Sequence, residues 1–132
     1  MLKLMYITNN PEVASIADGA GVDRIFIDLE QYGKEKRQKN WDSVKSKHSI
    51  SDIPKVKSAV KNAQIFVRTD PIFDGFSDEL EGVLACEPDV VMLPYFKTVR
   101  EVETFIKAVD GRATTSLLLE TGEAAEQIDD II

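Results

Sequence analysis

Apolar runs of strand length alternate along the whole chain with segments of helical spacing, and most of the runs end on polar side chains. Runs of this kind are typical of parallel strands that are buried on both faces. The four clearest runs are RIFIDLE, QIFVRTDP, VVMLPYF and TSLLLETG. The rim residues at their ends are Asp28 and Glu30, Arg68 and Asp70, Pro94 and Tyr95, and Glu120. The pattern therefore predicts an α/β fold.

The alternation predicts five βα units in a row. Strands are expected at residues 3–7, 22–29, 64–68, 89–93 and 114–119. Helices are expected after Asn10-Pro11, from Ser51-Asp52-Ile53-Pro54, from Phe76-Ser77-Asp78, along the apolar stripe 99–109, and over 124–132. A polar stretch at 31–50 is too long and too charged for a simple connection, and such stretches tend to be functional or mobile.

The 132 residues fit a single domain, 1–132, that is large enough to bury a core. Five parallel strands form either an open doubly wound sheet or the first five-eighths of a TIM (β/α)8 barrel. Length favours the open sheet, because a complete barrel typically needs about 250 residues. The resemblance described below favours the barrel.

Composition excludes several classes of partner. A net charge of −7 argues against a nucleic-acid or anionic membrane partner, but not against a small anion that responds to local charge. The single cysteine, Cys86, excludes an internal disulfide, favours a reducing compartment and is expected to be a small buried residue. No apolar run approaches the ~20 residues that span a bilayer, and no signal-peptide pattern is present. We therefore expect a cytoplasmic protein.

The strand ends predict a ligand site, since the loops at the carboxyl edge of a parallel sheet can carry chemistry that a packed core cannot. Arg68 suits a carboxylate, because its planar fork donates two parallel hydrogen bonds. A carboxylate such as Glu120 suits a hard cation. We expect only one of Asp28 and Glu30 to face the site. Taken one at a time, each residue also fits a surface ion pair or a favourable charge at a helix end.

Four blocks resemble the HpcH/HpaI aldolase and citrate lyase β-subunit superfamily: VDRIFIDLE, IFVRTDP, DVVMLPYFKTVREVETFI and LLLETGEA. The resemblance implies a metal-dependent TIM barrel that makes or cleaves carbon–carbon bonds beside a carboxylate or acyl-CoA carbonyl. It implies that Glu120 ligates Mg²⁺ or Mn²⁺ and that Arg68 binds the substrate carboxylate or polarises its carbonyl. It also implies that Asp28 and Glu30 support metal-bound water or substrate.

Three features depart from the family pattern. The second metal ligand, an aspartate after the sixth strand, has no counterpart. Gln31-Tyr32-Gly33 stands where the aldolase branch has a catalytic histidine, and Tyr95 stands where many relatives have a lysine after the proline. Tyr95 is accordingly a candidate substrate contact. His48, the only histidine, is either a general base in a long active-site loop or a solvated loop residue, and the second reading is slightly favoured.

The polar stretch offers two further candidates. Its basic cluster contacts a phosphate group or is simply solvated, and solvation is favoured because no glycine-rich phosphate cradle is present. Trp41 either closes the loop as a lid or anchors it by packing. The cluster consists of Lys34, Lys36, Arg37 and Lys39.

The sequence hypothesis is a metal-dependent carbon–carbon lyase acting on a 2-oxo acid or acyl-CoA substrate. In this hypothesis the chain is the N-terminal portion of the barrel, and whether it is active in that form is left open. The rival is a non-enzymatic α/β module that holds an anionic metabolite through Arg68 and the basic loop. An incomplete barrel leaves a strand edge and apolar faces uncovered, so we expect a homo-oligomer or a partner that supplies the missing strands.

Overall fold

Five parallel strands form one sheet whose order follows the chain. The computed structural model describes residues 1–31 and 48–132. Its strands, in the order β1-β2-β3-β4-β5, are β1 (Met5–Ile7), β2 (Arg24–Asp28), β3 (Gln64–Arg68), β4 (Val90–Leu93) and β5 (Thr114–Leu117). A doubly wound sheet reverses its strand order, whereas a barrel adds every strand on the same side. The order confirms the barrel-type α/β prediction, and the open doubly wound sheet favoured by length is wrong.

Capping residues mark where several of the helices begin, because their side chains accept hydrogen bonds from the first N–H groups of the helix. The Asn10 side chain accepts hydrogen bonds from the N–H groups of Glu12 and Val13, and Pro11 occupies the first helical position. Thr98 and Glu101 form a reciprocal capping box at the longest helix. The helices are α1 (Pro11–Gly19), α2 (Asp52–Ala59), α3 (Phe76–Ala85), α4 (Val99–Val109), α5 (Gly122–Glu126) and α6 (Ile128–Ile131).

The main core lies between one face of the sheet and the helices. Alternate strand residues such as Ile25, Ile27 and Val67 are fully buried there. They pack in one cluster with apolar side chains from α1 to α5, among them Val56 and Phe105. Because helices from successive units cover the same face, the sheet is wound in one direction only, as in a barrel wall.

The other face of the sheet carries a smaller apolar cluster. Phe26 and Phe66 stack with ring centroids 5.0 Å apart, and Val90 and Met92 pack against them. Ile25 and Ile27 therefore point to one face and Phe26 to the other, as the alternation in RIFID predicts. This second face would line the interior of a barrel, and it leads at its carboxyl edge to the polar rim.

Several element boundaries differ from the predicted ones. The first, second and fourth strands begin one or two residues later than predicted, and the second and fifth end earlier. The predicted helix over 124–132 begins earlier, at Gly122, and is divided into α5 and α6 at Gln127. The Gln127 side-chain amide donates to the carbonyls of Glu123 and Lys97, each at 3.0 Å, which favours a break at this point.

Two composition-based expectations can be compared with the described residues. Cys86 was expected to be buried but is only half-buried; it packs against the main core, and its thiol donates to the Gly82 carbonyl at 3.5 Å. None of the helices in the described part of the chain has the length and apolar character needed to cross a bilayer.

Candidate functional site

Asp28 and Arg68 form the centre of the polar rim. They end adjacent strands, β2 and β3, and are paired directly in the sheet register. Arg68 donates from Nε to Asp28 Oδ1 at 3.0 Å and from Nη2 to Asp28 Oδ2 at 2.7 Å. Both side chains are largely buried: 20% of the Arg68 side chain and 15% of the Asp28 side chain are exposed. This bidentate pair fixes the plane of the guanidinium group.

Glu30 contacts the same guanidinium group. Its Oε2 lies 3.2 Å from Arg68 Nε, and its side chain is only 4% exposed. Its backbone N–H donates to Asp28 Oδ1 at 3.2 Å, which closes a turn after β2. The expectation that only one of Asp28 and Glu30 faces the site is wrong, because residues two apart in an extended segment point to the same side.

His48 lies beside the pair. It is buried, and its Nδ1 accepts a hydrogen bond from the Asp28 backbone N–H at 2.9 Å. The prediction of a solvated loop residue is therefore wrong. With Nδ1 acting as acceptor, the neutral ring carries its proton on Nε2. His48 thus joins a segment 20 residues further along the chain to the end of β2.

The groups around Arg68 favour its positively charged form. The hydrogen bonds with Asp28, followed by the charges of Asp28, Glu30 and Glu120, raise the pKa of Arg68 despite an opposing effect of burial. The guanidinium carbon also lies 5.5 Å from the centroid of the Phe26 ring, a cation–π contact. Among residues 1–31 and 48–132 no acceptor contacts Nη1, so this nitrogen can meet a ligand.

Glu120 lies on the exposed rim after β5. Its Oε1 accepts a hydrogen bond from the Tyr95 backbone N–H at 2.9 Å. Tyr95 follows β4, is 40% exposed, and has a φ of 51°, in the left-handed region that non-glycine residues seldom adopt. The contact joins the ends of two adjacent strands, and Glu120 is near enough for its charge to act on Arg68. The structure thus brings the predicted residues of all four strand ends to one edge.

Sequence reasoning missed Glu79, which lies in the first turn of α3. Its Oε1 accepts a hydrogen bond from the Asp70 backbone N–H at 3.2 Å. Burial, together with the neighbouring charge of Asp70, raises the pKa of Glu79 to about 7. No signal in the sequence distinguishes it from Asp78 beside it, which is exposed. Only the packing of α3 against the end of β3 separates them.

The donor set at the rim fits a divalent cation that keeps several waters. Within residues 1–31 and 48–132, three carboxylates (Asp28, Glu30 and Glu120) lie near the Arg68 guanidinium, so negative charge is in excess among these groups. Asp28 and Glu30 are engaged with Arg68, which leaves Glu120 as the accessible ligand. The described residues contain no cluster of three or more histidine, cysteine or acidic side chains able to hold a metal. Magnesium retains several waters and is bound by only one or two carboxylates in many sites, so a single exposed carboxylate such as Glu120 is compatible with such a site.

The basic cluster and Trp41, predicted as phosphate contacts and as a lid or anchor, lie outside the described residues. The cluster is Lys34, Lys36, Arg37 and Lys39. Their roles stay predictions.

A singly wound parallel sheet, with helices on one face and an ion-paired arginine at its carboxyl edge, defines a barrel-type α/β protein with a polar rim site. The HpcH/HpaI aldolase/citrate lyase family model matches residues 3–132, and the chain belongs to that family. A comparison with curated proteins found no matching relative.

Solved structures share the fold at low sequence identity. An HpcH/HpaI aldolase from Desulfitobacterium hafniense DCB-2 matches with a TM-score of 0.67 and 13% identity, over 98% of this chain and 57% of its own. An HpcH/HpaI aldolase/citrate lyase family protein from Burkholderia cenocepacia J2315 matches with a TM-score of 0.75 and 11% identity, over 98% and 58%. The citrate synthase SbnG matches with a TM-score of 0.69 and 15% identity, over 98% and 56%. The chain thus spans little more than half the length of these proteins.

Proposed function

We propose that this chain contributes the carboxyl-edge rim of a metal-dependent carbon–carbon lyase of the aldolase/citrate lyase type, acting on a 2-oxo acid or an acyl-CoA substrate. Family membership supports this class of reaction, and members of the family are generally dependent on divalent metals. The observation that carries the proposal is the buried Arg68 guanidinium, held in one plane by Asp28 and Glu30 at the strand ends.

Arg68 is the proposed anion-binding group. Nε and Nη2 are used by the two acids, which restricts rotation of the guanidinium group, and within the described residues Nη1 has no acceptor. A carboxylate or carbonyl oxygen of the substrate would accept a hydrogen bond there without any rearrangement of the side chain. Because the pKa of Arg68 is raised, the group keeps its charge when the substrate enters.

Glu120 is the proposed protein ligand for Mg²⁺ or Mn²⁺. Its Oε1 is oriented by the Tyr95 N–H, and its carboxylate remains exposed. A divalent cation held there would supply Lewis-acid stabilisation of negative charge on oxygen beside a carboxylate. The same backbone contact keeps Tyr95 beside Glu120, which supports Tyr95 as the proposed substrate contact.

His48 is proposed as a positioning residue. Its Nδ1 is occupied by the Asp28 N–H, so this nitrogen does not accept a proton from substrate in the observed arrangement. The contact instead fixes the backbone of Asp28, and through it the bidentate pair with Arg68.

Among the described residues, the rim charge argues against the rival, a metal-free module for an anionic metabolite, although the basic loop that the rival also uses lies outside them. Asp28 and Glu30 already offset the single positive charge of Arg68, and Glu120 adds a third carboxylate nearby. An anion entering without a cation would meet a net negative charge on the rim residues that the structure describes. Metal-dependent binding of the anion is therefore the arrangement that the charges favour.

The test is titration calorimetry of Mg²⁺ and Mn²⁺, each with and without pyruvate or oxalate, on the parent chain and on Glu120→Gln. We expect the oxo acid to strengthen metal binding in the parent, and Glu120→Gln to lose that binding because it removes the charged ligand. Glu123→Gln, an exposed acid three residues further on, is the matched control and should bind as the parent does. Equal metal binding by Glu120→Gln and the parent would contradict the assignment.

A further inference from the structure

Asp70 connects two parts of the molecule through separate hydrogen bonds. It follows β3, and its Oδ1 accepts from the Gln31 backbone N–H at 2.6 Å. Its own backbone N–H donates to Glu79 Oε1, in the first turn of α3, at 3.2 Å. A continuous path of contacts therefore runs from α3 through Asp70 to the segment that follows β2.

The Glu79 carboxyl is in surroundings that disfavour its charged form. Its Oε2 is fully buried and has no hydrogen-bond partner within residues 1–31 and 48–132. The hydrogen bond from the Asp70 backbone N–H brings the two carboxyl groups close to each other, and neighbouring carboxyl groups do not both ionise readily. An unpartnered buried oxygen costs much less in a neutral acid than in a carboxylate. Burial first, and then the charge of Asp70, raises the pKa of Glu79 to about 7.

Asp70 is hydrogen-bonded to the segment after β2, and residues of that segment contact Arg68. The Leu29 N–H donates to the Arg68 carbonyl at 2.9 Å, and Glu30 contacts Arg68 Nε. Gln31 comes directly after Glu30. Anchoring the Gln31 N–H to Asp70 therefore fixes the backbone immediately beyond the Glu30 side chain.

Within the described part of the chain, Asp70 is the charged group that acts on the Glu79 carboxyl. On α3 itself, Asp78 is exposed and Glu81 is ion-paired at 2.7 Å with Arg112, which follows α4. Of the groups near Arg68, His48 carries an imidazole, the side-chain type whose ordinary pKa is closest to neutral, so its effect must be separated from that of Glu79 by experiment.

We propose that Glu79 is a positioning residue: while its carboxyl is neutral, its contact with the Asp70 N–H keeps Asp70 on Gln31, and so keeps the Asp28–Gln31 segment in the arrangement that orients Arg68. Below pH 7 the neutral Glu79 carboxyl leaves Asp70 in place between Glu79 and Gln31. Above pH 7 ionised Glu79 repels Asp70, and the Gln31 anchor weakens. The effect on ligand binding rests on the proposed anion-binding role of Arg68, whereas the proton-dependent anchor does not.

The experiment is an NMR titration of the protein from pH 5 to 9, following the Glu79 side-chain carboxyl carbon and the backbone amides of Glu30 and Gln31. We expect the carboxyl carbon to titrate with a midpoint near 7 and both amide signals to move with the same midpoint. In Glu79→Gln, which is neutral and whose side-chain carbonyl can still accept from the Asp70 N–H, the amides should remain near their low-pH positions. Asp78→Asn is the matched control and should titrate as the parent does.

Two results would overturn the inference. One is a Glu79 carboxyl that titrates near its ordinary value of 4.5. The other is amide movement near pH 7 that persists in Glu79→Gln, because His48 would then be its source.

Calorimetry with oxalate and Mg²⁺ separates this inference from the proposed function. Parent affinity should fall several-fold between pH 6 and 8, while Glu79→Gln stays constant, and an equal fall in both proteins would remove Glu79 as the cause. Absence of oxalate binding in every variant contradicts the function of the rim. The amide titration then still decides whether Glu79 and Asp70 hold Gln31.

Discussion

Arg68 combines a structural and a proposed binding role because its charge compensates two acids that have little access to water. The side chains of Asp28 and Glu30 are 15% and 4% exposed. Removing one partner of such a group leaves the remaining charges buried and uncompensated, which costs more than the pair itself contributes. Arg112 forms an equally short pair with Glu81, but both of these side chains are well exposed.

We expect Arg68→Met to lower the free energy of unfolding by roughly 2 to 3 kcal/mol, near the lower end for buried pairs because Arg68 keeps some exposure. The loss arises from the uncompensated charges of Asp28 and Glu30. Urea denaturation followed by circular dichroism measures it. Arg112→Met, which breaks the exposed pair, is the control and should change stability little. Equal effects of the two substitutions would contradict the compensating role of Arg68.

At the scale of elements, α4 shows how local sequence specifies a helix. The Thr98 hydroxyl accepts from the Glu101 N–H at 3.2 Å, while the Glu101 side chain accepts from the Thr98 N–H at 2.8 Å. The helix ends at Asp110, whose φ of 49° allows its N–H to reach the Ile106 carbonyl. The apolar stripe of Val102, Phe105 and Val109 lies between these signals, so both ends of α4 were predicted closely.

Thr98→Ala should lower the free energy of unfolding by about 1 kcal/mol, because the N–H of Glu101 loses its capping acceptor. Thermal or urea unfolding measures the change. Thr104→Ala on the same helix is the control: its hydroxyl bonds only the Arg100 carbonyl of the preceding turn, and the site is exposed. We expect that substitution to be neutral or slightly stabilising, since alanine has the higher helix propensity. A neutral Thr98→Ala would show that the box is dispensable.

Elements with weaker local signals were predicted less well. The polar Gln127 divides the last predicted helix through contacts to Lys97 and Glu123, and Lys97 lies 30 residues earlier in the chain. The order of apolar and polar residues within 124–132 does not show that Gln127 contacts Lys97. His48 is a similar case, because its burial depends on the end of β2 rather than on the polar residues around it.

At the scale of the whole molecule, the edge strand β1 is exposed. Within the described residues it pairs only with β2, and all three of its side chains are about half exposed. Met5 and Ile7 lie in register with Arg24 and Phe26, on the face opposite the helices. An edge strand with apolar side chains is a site for pairing or packing with another chain or segment. The expected homo-oligomer stays a prediction, as does the single domain over residues 1–132.

We expect the chain to associate in a concentration-dependent way, and Ile7→Lys to reduce that association because a charge on the edge strand opposes packing. Sedimentation velocity over a range of concentrations measures it. Ile106→Lys introduces the same charge at a comparably exposed position of α4, and should leave association unchanged. Loss of association in Ile106→Lys but not in Ile7→Lys would move the interface to the helical face.

The sequence by itself determined the five βα units, the helix caps and the strand ends that carry Asp28, Arg68, Tyr95 and Glu120. These follow from side-chain periodicity and local hydrogen bonding, which act over a few residues. Tertiary structure decided the rest. It set the singly wound strand order and brought Asp28 and Glu30 to the same guanidinium group. It also placed His48 against Asp28 and Glu79 against Asp70. The side-chain contacts among these features join residues that are 9 to 40 positions apart in the chain. Local conformational preferences act over only a few residues and do not determine which of these segments pack together.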